Sequence, residues 1–269
     1  MQKIIKLQNL LKKMKRVLVA YSGGADSTLL LKVAGETLGK ENVLAVLATS
    51  VTYPASEVKA AIKTAKILKA KLLVVKTEEI KDSRFSKNPR QRCYYCKLEL
   101  FGKLVNIAQK KGYFAVLDGA NYDDRLDFRP GTKAGKELGI RSPLQEAGFT
   151  KTEIRKLSRK LKLTTWNKPS MACLASRIPY GAEIKSKTLK SIGLAEEYLK
   201  QIHFKQVRVR HHGELARIEV MPGDFKRLLQ LGLSKKIAEN LKKFGYTYIT
   251  FDLEGFRSGS MNLVLKGKK

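Results

Sequence analysis

Three groups of residues in this 269-residue chain have types and spacings that could do chemistry. The first is Ser22-Gly23-Gly24-Ala25-Asp26-Ser27, set between a β-branched run and an apolar helical one. Two glycines let a phosphate approach the backbone, the following helix offers its positive end, and two hydroxyls add donors. A polyphosphate would fit there. A tight turn capped by Ser27 is the plainer reading of the same residues. The stretch from Gly131 to Lys136 imitates the kinase-type P-loop. It has one residue too few between its glycines, and Glu137 stands where a hydroxyl should follow, so it reads as an ordinary loop and helix start.

The second group is the cysteines. Cys93-Tyr94-Tyr95-Cys96 is a CxxC, and Cys173 lies about eighty residues on. A CxxC alone is open to three readings: a redox pair, half of a zinc site, or coincidence. Closed zinc sites want four ligands, and His203, His211 and His212 offer no evident fourth. Three thiolates suit a cubane iron–sulfur cluster whose fourth iron has no protein ligand and could carry an extra sulfide. Unrelated buried cysteines behaving as small hydrophobes are the generic alternative. Arg90, Arg92 and Lys97 crowd the pair and Arg177 follows Cys173, surroundings that suit anionic sulfur.

The third group is Val207-Arg208-Val209-Arg210. Strand alternation would put both guanidinium groups on one face, about 7 Å apart, where they could grip a phosphate. A solvated edge strand made less sticky by charge gives the same pattern.

Composition bounds what such residues could serve. The chain is 43% apolar and 29% charged, with 20 Gly and 7 Pro, which excludes collagen, low-complexity disorder and disulfide miniproteins. Its length suggests one large or two modest domains. Three cysteines form no disulfide framework and fit a reducing compartment. The net charge of +30 would suggest a nucleic-acid partner. Only 15 of the 54 basic residues are Arg, however, and the lysines are scattered along helix-like faces, as at Lys59, Lys63, Lys66 and Lys69. No apolar run approaches the roughly 20 residues of a membrane span, and Met1 to Arg16 lacks the apolar core of a secretory signal. A cytoplasmic protein without a membrane partner is expected.

Strands at Val17 to Tyr21, Asn42 to Ala48, Lys71 to Lys76 and Ala115 to Leu117 alternate with helices at Thr28 to Thr37, up to Ala70 with Ser56 as N-cap, and Lys97 to Lys111. That order predicts an α/β fold with a mainly parallel sheet, which binds ligands at the carboxyl ends of its strands. The CxxC falls in the segment before the third of these helices. Thr150 and Glu153 form a capping-box pattern for a helix ending near Leu163, and Asn167-Lys168-Pro169-Ser170 breaks it. A helix from Ser186 to Gln201, strands at Gln206 to His211 and Ala216 to Val220, helical material to Phe244 and a strand from Tyr246 to Phe251 make a smaller α+β domain. The expected division is 1–165 and 166–269, with a frayed tail at Lys266 to Lys269.

S-G-G-A-D-S after a first strand resembles the PP-loop of the ATP pyrophosphatases, a superfamily of adenine nucleotide alpha hydrolase-like fold. The resemblance implies that Ser22, Gly23, Gly24, Asp26, Ser27 and Thr28 hold the pyrophosphate portion of ATP. Asp26 would assist through Mg2+ or by ordering the loop, with Asp118 as a second magnesium candidate. With N-P-R-Q-R-C-Y-Y-C-K-L-E-L-F, K-P-S-M-A-C-L-A-S-R-I-P-Y-G, V-R-V-R-H-H-G and A-R-I-E-V in that order, nearly the whole chain resembles the LarE family. These are ATP-dependent sulfur transferases of nickel-pincer nucleotide biosynthesis. The resemblance implies adenylation of a carboxylate of pyridinium-3,5-biscarboxylic acid mononucleotide, then replacement of AMP by sulfur. It also implies homo-oligomers, and a [4Fe-4S] cluster on Cys93, Cys96 and Cys173 fed by sulfide or another sulfur donor. Some members instead sacrifice the sulfur of the cysteine matching Cys173. Arg208 and Arg210 match the family's substrate-phosphate arginines. Glu219, Asp224, Arg257 and Ser176-Arg177 are weaker matches, and Glu196, or its neighbour Glu197, matches a metal-contacting glutamate. A tRNA thiolase with the same loop and cluster is the neighbouring alternative, and a nucleotide-binding cluster carrier is a third.

Overall fold

In a computed structural model, described over residues 2–126, 130–169, 172–257 and 259–263, the chain forms two compact units. Residues 1–85 and 90–171 make one, and 86–89 with 172–269 the other. Ser170, Met171 and the tail from Lys266 to Lys269 lie outside the described residues.

The first unit runs α1 (Gln2–Met14), β1 (Val17–Ala20), α2 (Ala25–Leu38), β2 (Val43–Thr49), α3 (Ala55–Ile67), β3 (Lys71–Lys76), α4 (Ser83–Ser86, crossing into the second unit), α5 (Arg92–Lys110), β4 (Ala115–Leu117), α6 (Gly131–Glu137), α7 (Pro143–Glu146) and α8 (Lys151–Lys160). The strands are all parallel, in the order β3-β2-β1-β4. Period-two alternation sends Val17 and Val19 to a core shared with α1, α2, α3 and α8, and Leu18 to a second core under α5. Leu18, Leu29 and Leu104 are fully buried, each worth about 1.5–3 kcal/mol of transfer free energy. The chain leaves β1 toward β2 on one side while β4 pairs on the other. The segments after β1 and β4 therefore flank a topological switch point, where such sheets bind ligands.

Several expected boundaries move. α2 begins at Ala25, inside the glycine turn. Pro54, not Ser56, takes the N-cap position of α3, because proline's fixed φ suits a helix start and needs no donor. α5 begins at Arg92, so the CxxC lies on the helix and not before it. The capping box forms as expected, Thr150 Oγ1 accepting from the Glu153 amide and Glu153 Oε2 from that of Thr150, but α8 ends at Lys160.

The second unit contains α9 (Ser186–Gln201), β5 (Val207–His212), β6 (Leu215–Val220), α10 (Phe225–Leu228), α11 (Leu231–Lys243) and β7 (Tyr248–Phe251). β5 and β6 are antiparallel, and β7 adds to β6 in parallel. Val207, Val209, Ala216 and Ile218 meet Leu199, Ile237 and Leu241 of the helices in one core. Arg208, Arg210, Arg217 and Glu219 alternate with those residues and so belong to the other face.

Candidate active site

The glycine turn is built for close backbone approach. Gly23 has φ +70°, and a Cβ there would lie 2.4 Å from Ala61 Cβ of α3. The neighbouring Tyr21 hydroxyl donates to the Ala61 carbonyl at 3.2 Å, tying the same helix to β1. Gly24 is the N-cap of α2 and gives no side-chain cap, so the first-turn amides keep their capacity for an anion. Ser22 and Ser27 hydroxyls meet at 3.0 Å, and the Ser22 amide donates to Ser27 Oγ at 3.2 Å. Thr28 is fully buried, its amide donating to the Gly24 carbonyl, and its hydroxyl has no hydrogen-bond partner.

Asp26, in the first turn of α2, is ion-paired through Oδ2 to Lys151, while its Oδ1 is buried and has no hydrogen-bond partner. Asp118, just past β4, accepts through Oδ1 from the Ser142 hydroxyl at 2.7 Å and the Ala120 amide at 3.1 Å. A Cβ on the next residue, Gly119, would lie 2.9 Å from the Ser27 amide nitrogen, so only glycine lets the β4 end pass this close to α2. Lys168 donates to the Gly23 carbonyl at 3.1 Å and pairs with Glu57 of α3 at 2.9 Å. Sequence reasoning missed Lys151 and Lys168, although Lys168 stands in the quoted K-P-S-M stretch and Lys151 directly follows the recognised cap.

Cys93 and Cys96 lie in the first turns of α5, neither in a disulfide, Cys93 exposed and Cys96 half-buried. Three residues apart on a helix, they share one face. Tyr94 and Tyr95, which could equally have packed in the core, stay half-buried and meet edge-on with ring centres 5.3 Å apart. The Tyr94 hydroxyl donates to Glu137 Oε2 at 2.7 Å, and that bond raises its pKa above the ordinary phenol value. Arg84 stacks over Tyr95 and Lys133 over Tyr94. Gly131 of the decoy loop packs against this helix: a Cβ there would lie 2.8 Å from Lys97 Cγ, and the segment is a helix start, as expected.

In the second unit the arginines are not a solvated edge. β5 is an edge strand, yet Arg208 and Arg210 are each only 5% exposed. Arg210 makes a bidentate pair with Glu219 at 2.9 and 2.7 Å and donates to the Ser176 carbonyl and the Ser260 hydroxyl. Burial, followed by repulsion from Arg177, pushes the Arg208 guanidinium down to about 10 despite the offsetting attraction of Glu196. Arg177 is fully buried. It grips both oxygens of Glu196 at 2.8 and 3.0 Å, and its Nη1 donates to the carbonyls of Ala172 and Cys173 and the Ser176 hydroxyl. Glu196 also accepts from the Val209 amide, while Glu197 is exposed, so geometry separates the adjacent pair. Glu196 thus takes two hydrogen bonds on Oε1 and one on Oε2, and Arg177 links it to the half-buried Cys173 loop. Arg257 pairs with Glu254, and Asp224 sits in a short turn before α10. Among the described residues, no three His, Cys, Asp or Glu side chains gather to hold a metal ion.

The NAD synthase family model matches residues 2–97, from α1 through the CxxC. A pyridinium-3,5-bisthiocarboxylic acid mononucleotide synthase of Lactiplantibacillus plantarum is 41% identical over 255 residues, covering 94% of this chain and 91% of the relative. The chain belongs to the LarE family. An uncharacterised protein of Synechocystis is 42% identical over 97% of this chain and 98% of its own length, and one of Methanocaldococcus jannaschii is 32% identical over 96% and 98%. In this LarE chain the first unit is the PP-loop, ATP-using part, its parallel sheet carrying the glycine turn, as the sequence predicts. No helix among its described residues is long and apolar enough to cross a membrane.

Proposed function

We propose that this chain adenylates a carboxylate of pyridinium-3,5-biscarboxylic acid mononucleotide with ATP and replaces the AMP with sulfur, forming a thiocarboxylate. The observation that carries the reading is the 41% identity, spread over 94% of the chain, with a synthase named for the bisthiocarboxylic acid product. The glycine turn supports it chemically, since unused α2 amides and two hydroxyls suit the pyrophosphate portion of ATP.

The orphaned Asp26 oxygen and the Asp118 carboxylate are hard donors of the kind Mg2+ takes, and the ion when bound would neutralise phosphate charge. Lys168, on the Gly23 carbonyl, fixes the turn's shape. Buried Arg208 carries a cation that burial disfavours, and an arriving substrate phosphate would relieve that cost, with Arg210 and Glu219 bracing the neighbouring position. Positioning of two anions against one another is the main contribution asked of the protein. In this reading Cys93, Cys96 and Cys173 would be the thiolate donors to a [4Fe-4S] cluster, which would supply labile sulfide; none of the three is in a disulfide. The Cys93 and Cys96 pair has ligand spacing on one helix face, and Arg177 holds the Cys173 carbonyl. Homo-oligomers belong to the same reading.

The test is anaerobic. Wild-type protein given MgATP, the dicarboxylated mononucleotide and sulfide should release pyrophosphate and AMP and yield the thiocarboxylate by mass spectrometry. Each of Cys93→Ala, Cys96→Ala and Cys173→Ala should lose bound iron and activity. Activity surviving in the first two and lost only in the third would replace the cluster with sacrificial sulfur from Cys173. Pyrophosphate release that depends on tRNA would replace the substrate.

A further inference from the structure

Lys151 is the first residue of α8, and its ammonium is paired with Asp26 Oδ2 in the first turn of α2. A cation at the start of a helix faces the positive end of its own dipole, and here it also lies beside the positive end of α2. Helix stability does not ask for it there. The start of α8 is secured by other groups: the Thr150 and Glu153 capping box, Lys3 of α1 on both Glu153 oxygens at 2.7 Å, and the Lys151 amide on Asp123 Oδ2 at 2.8 Å. The backbone at Lys151 is thus anchored while its side chain reaches a different element. At the far end, Asp26 has one oxygen neutralised and the other buried without a partner.

An aspartate in the first turn of a helix ordinarily turns its carboxylate onto the free amides there. In this chain those are the amides offered to the nucleotide. A carboxylate that took them would compete with phosphate and lose its second oxygen for a cation. We propose that Lys151 is a positioning residue for the nucleotide step: it holds Asp26 by Oδ2, off the α2 amides, and leaves Oδ1 for the magnesium that accompanies the triphosphate. This rests on the assignment of the glycine turn to ATP, and it assigns Lys151 no contact with the acceptor or with sulfur.

The test is calorimetric binding to the full chain with no acceptor present, using ATP with and without magnesium. Lys151→Met should weaken MgATP binding on the order of tenfold, the scale of one lost charged hydrogen bond, and raise the magnesium concentration needed for half-saturation. Magnesium-free ATP should bind within about threefold of wild type, and Lys151→Arg should restore MgATP binding. In an Asp26→Asn background, Lys151→Met should have almost no further effect, because a residue acting through another is silent once that other is gone. Additive losses in the double variant, or equal loss with and without magnesium, would overturn the proposal in favour of a direct phosphate contact. A lowered melting temperature with unchanged magnesium dependence would overturn it in favour of a purely structural pair. A wild type that binds MgATP but forms no thiocarboxylate would defeat the sulfur-transfer reading and leave this one standing.

Discussion

Gly23→Ala isolates the close approach on which the nucleotide turn depends. The residue lies at φ +70°, where an L side chain costs about 1–2 kcal/mol. The new methyl would also stand 2.4 Å from Ala61 Cβ and 2.9 Å from Ala61 Cα, so α3 or the turn must shift, an overpacking cost of about 1–3 kcal/mol. Together the loss is about 2–5 kcal/mol, and a central value near 3 corresponds to a fall of roughly 6–12 °C in the melting temperature of a unit this size. Gly24→Ala is the control. Its φ of −82° is ordinary and its Cβ would meet only Ser22 Oγ at 3.5 Å, so its stability should stay within about 1 kcal/mol of wild type. Adding Ala61→Gly to Gly23→Ala removes the 2.4 Å contact but not the φ strain. The double variant should therefore recover about 1 kcal/mol relative to additivity, even though glycine within α3 itself costs about 1 kcal/mol. Urea unfolding with a probe in the first unit gives all four values. Equal stabilities for Gly23→Ala and Gly24→Ala, or strict additivity with Ala61→Gly, would refute the packing argument.

Arg177→Met strands Glu196 in the second unit without its cation and should cost about 3–5 kcal/mol by denaturant unfolding. Arg177→Lys should recover little of it, since one ammonium cannot replace a fork that reaches Glu196 and two carbonyls at once. Hydrogen bonding by Lys3, foremost, and by the Thr150 amide lowers Glu153 to about 2 from an ordinary 4.5. A lowered carboxyl pKa favours folding only while the group is ionised, so this contribution is complete above about pH 4.5 and disappears as pH falls through 2. Acid titration of stability should be shallower across that window in Glu153→Gln. The difference should be small and should shrink in salt, because both partners are around 40% exposed.

The strands of the first unit were legible because two-residue alternation and β-branched runs are strong local signals, and their alternation with helices announced a parallel sheet without giving its strand order. Thr150 and Glu153 announced the α8 cap because a capping box is complete within four residues. What escaped depends on distance along the chain. Nothing local to Lys151 names Asp26 as its partner, and nothing in V-R-V-R says that both guanidinium groups would be covered, since the contacts come from distant residues, Phe256 at Arg208 and Ser176 and Ser260 at Arg210. The start of α5 was misplaced for a different reason. Arg92 to Cys96 lack the apolar spacing of the later turns, and burial in this helix is concentrated from Leu100 onward. Sequence periodicity therefore places the CxxC ahead of the helix that in fact carries it.

Asn88 draws a practical boundary. Fully buried at φ +57°, a conformation asparagine tolerates, it donates to the carbonyls of Pro179 and Ala182 at 2.7 and 2.9 Å, while its own carbonyl accepts from the Gly181 amide. The Ile184 amide donates to the Ser86 carbonyl beside it. Residues 86–89 are thus a staple supplied to the later unit by a stretch interrupting the earlier one. No single scission releases the later body whole: a fragment starting at Ala172 would leave the staple behind, and excising the staple would sever the polypeptide just ahead of the paired thiols. Truncation therefore cannot isolate the later unit, and point substitution is the route into it.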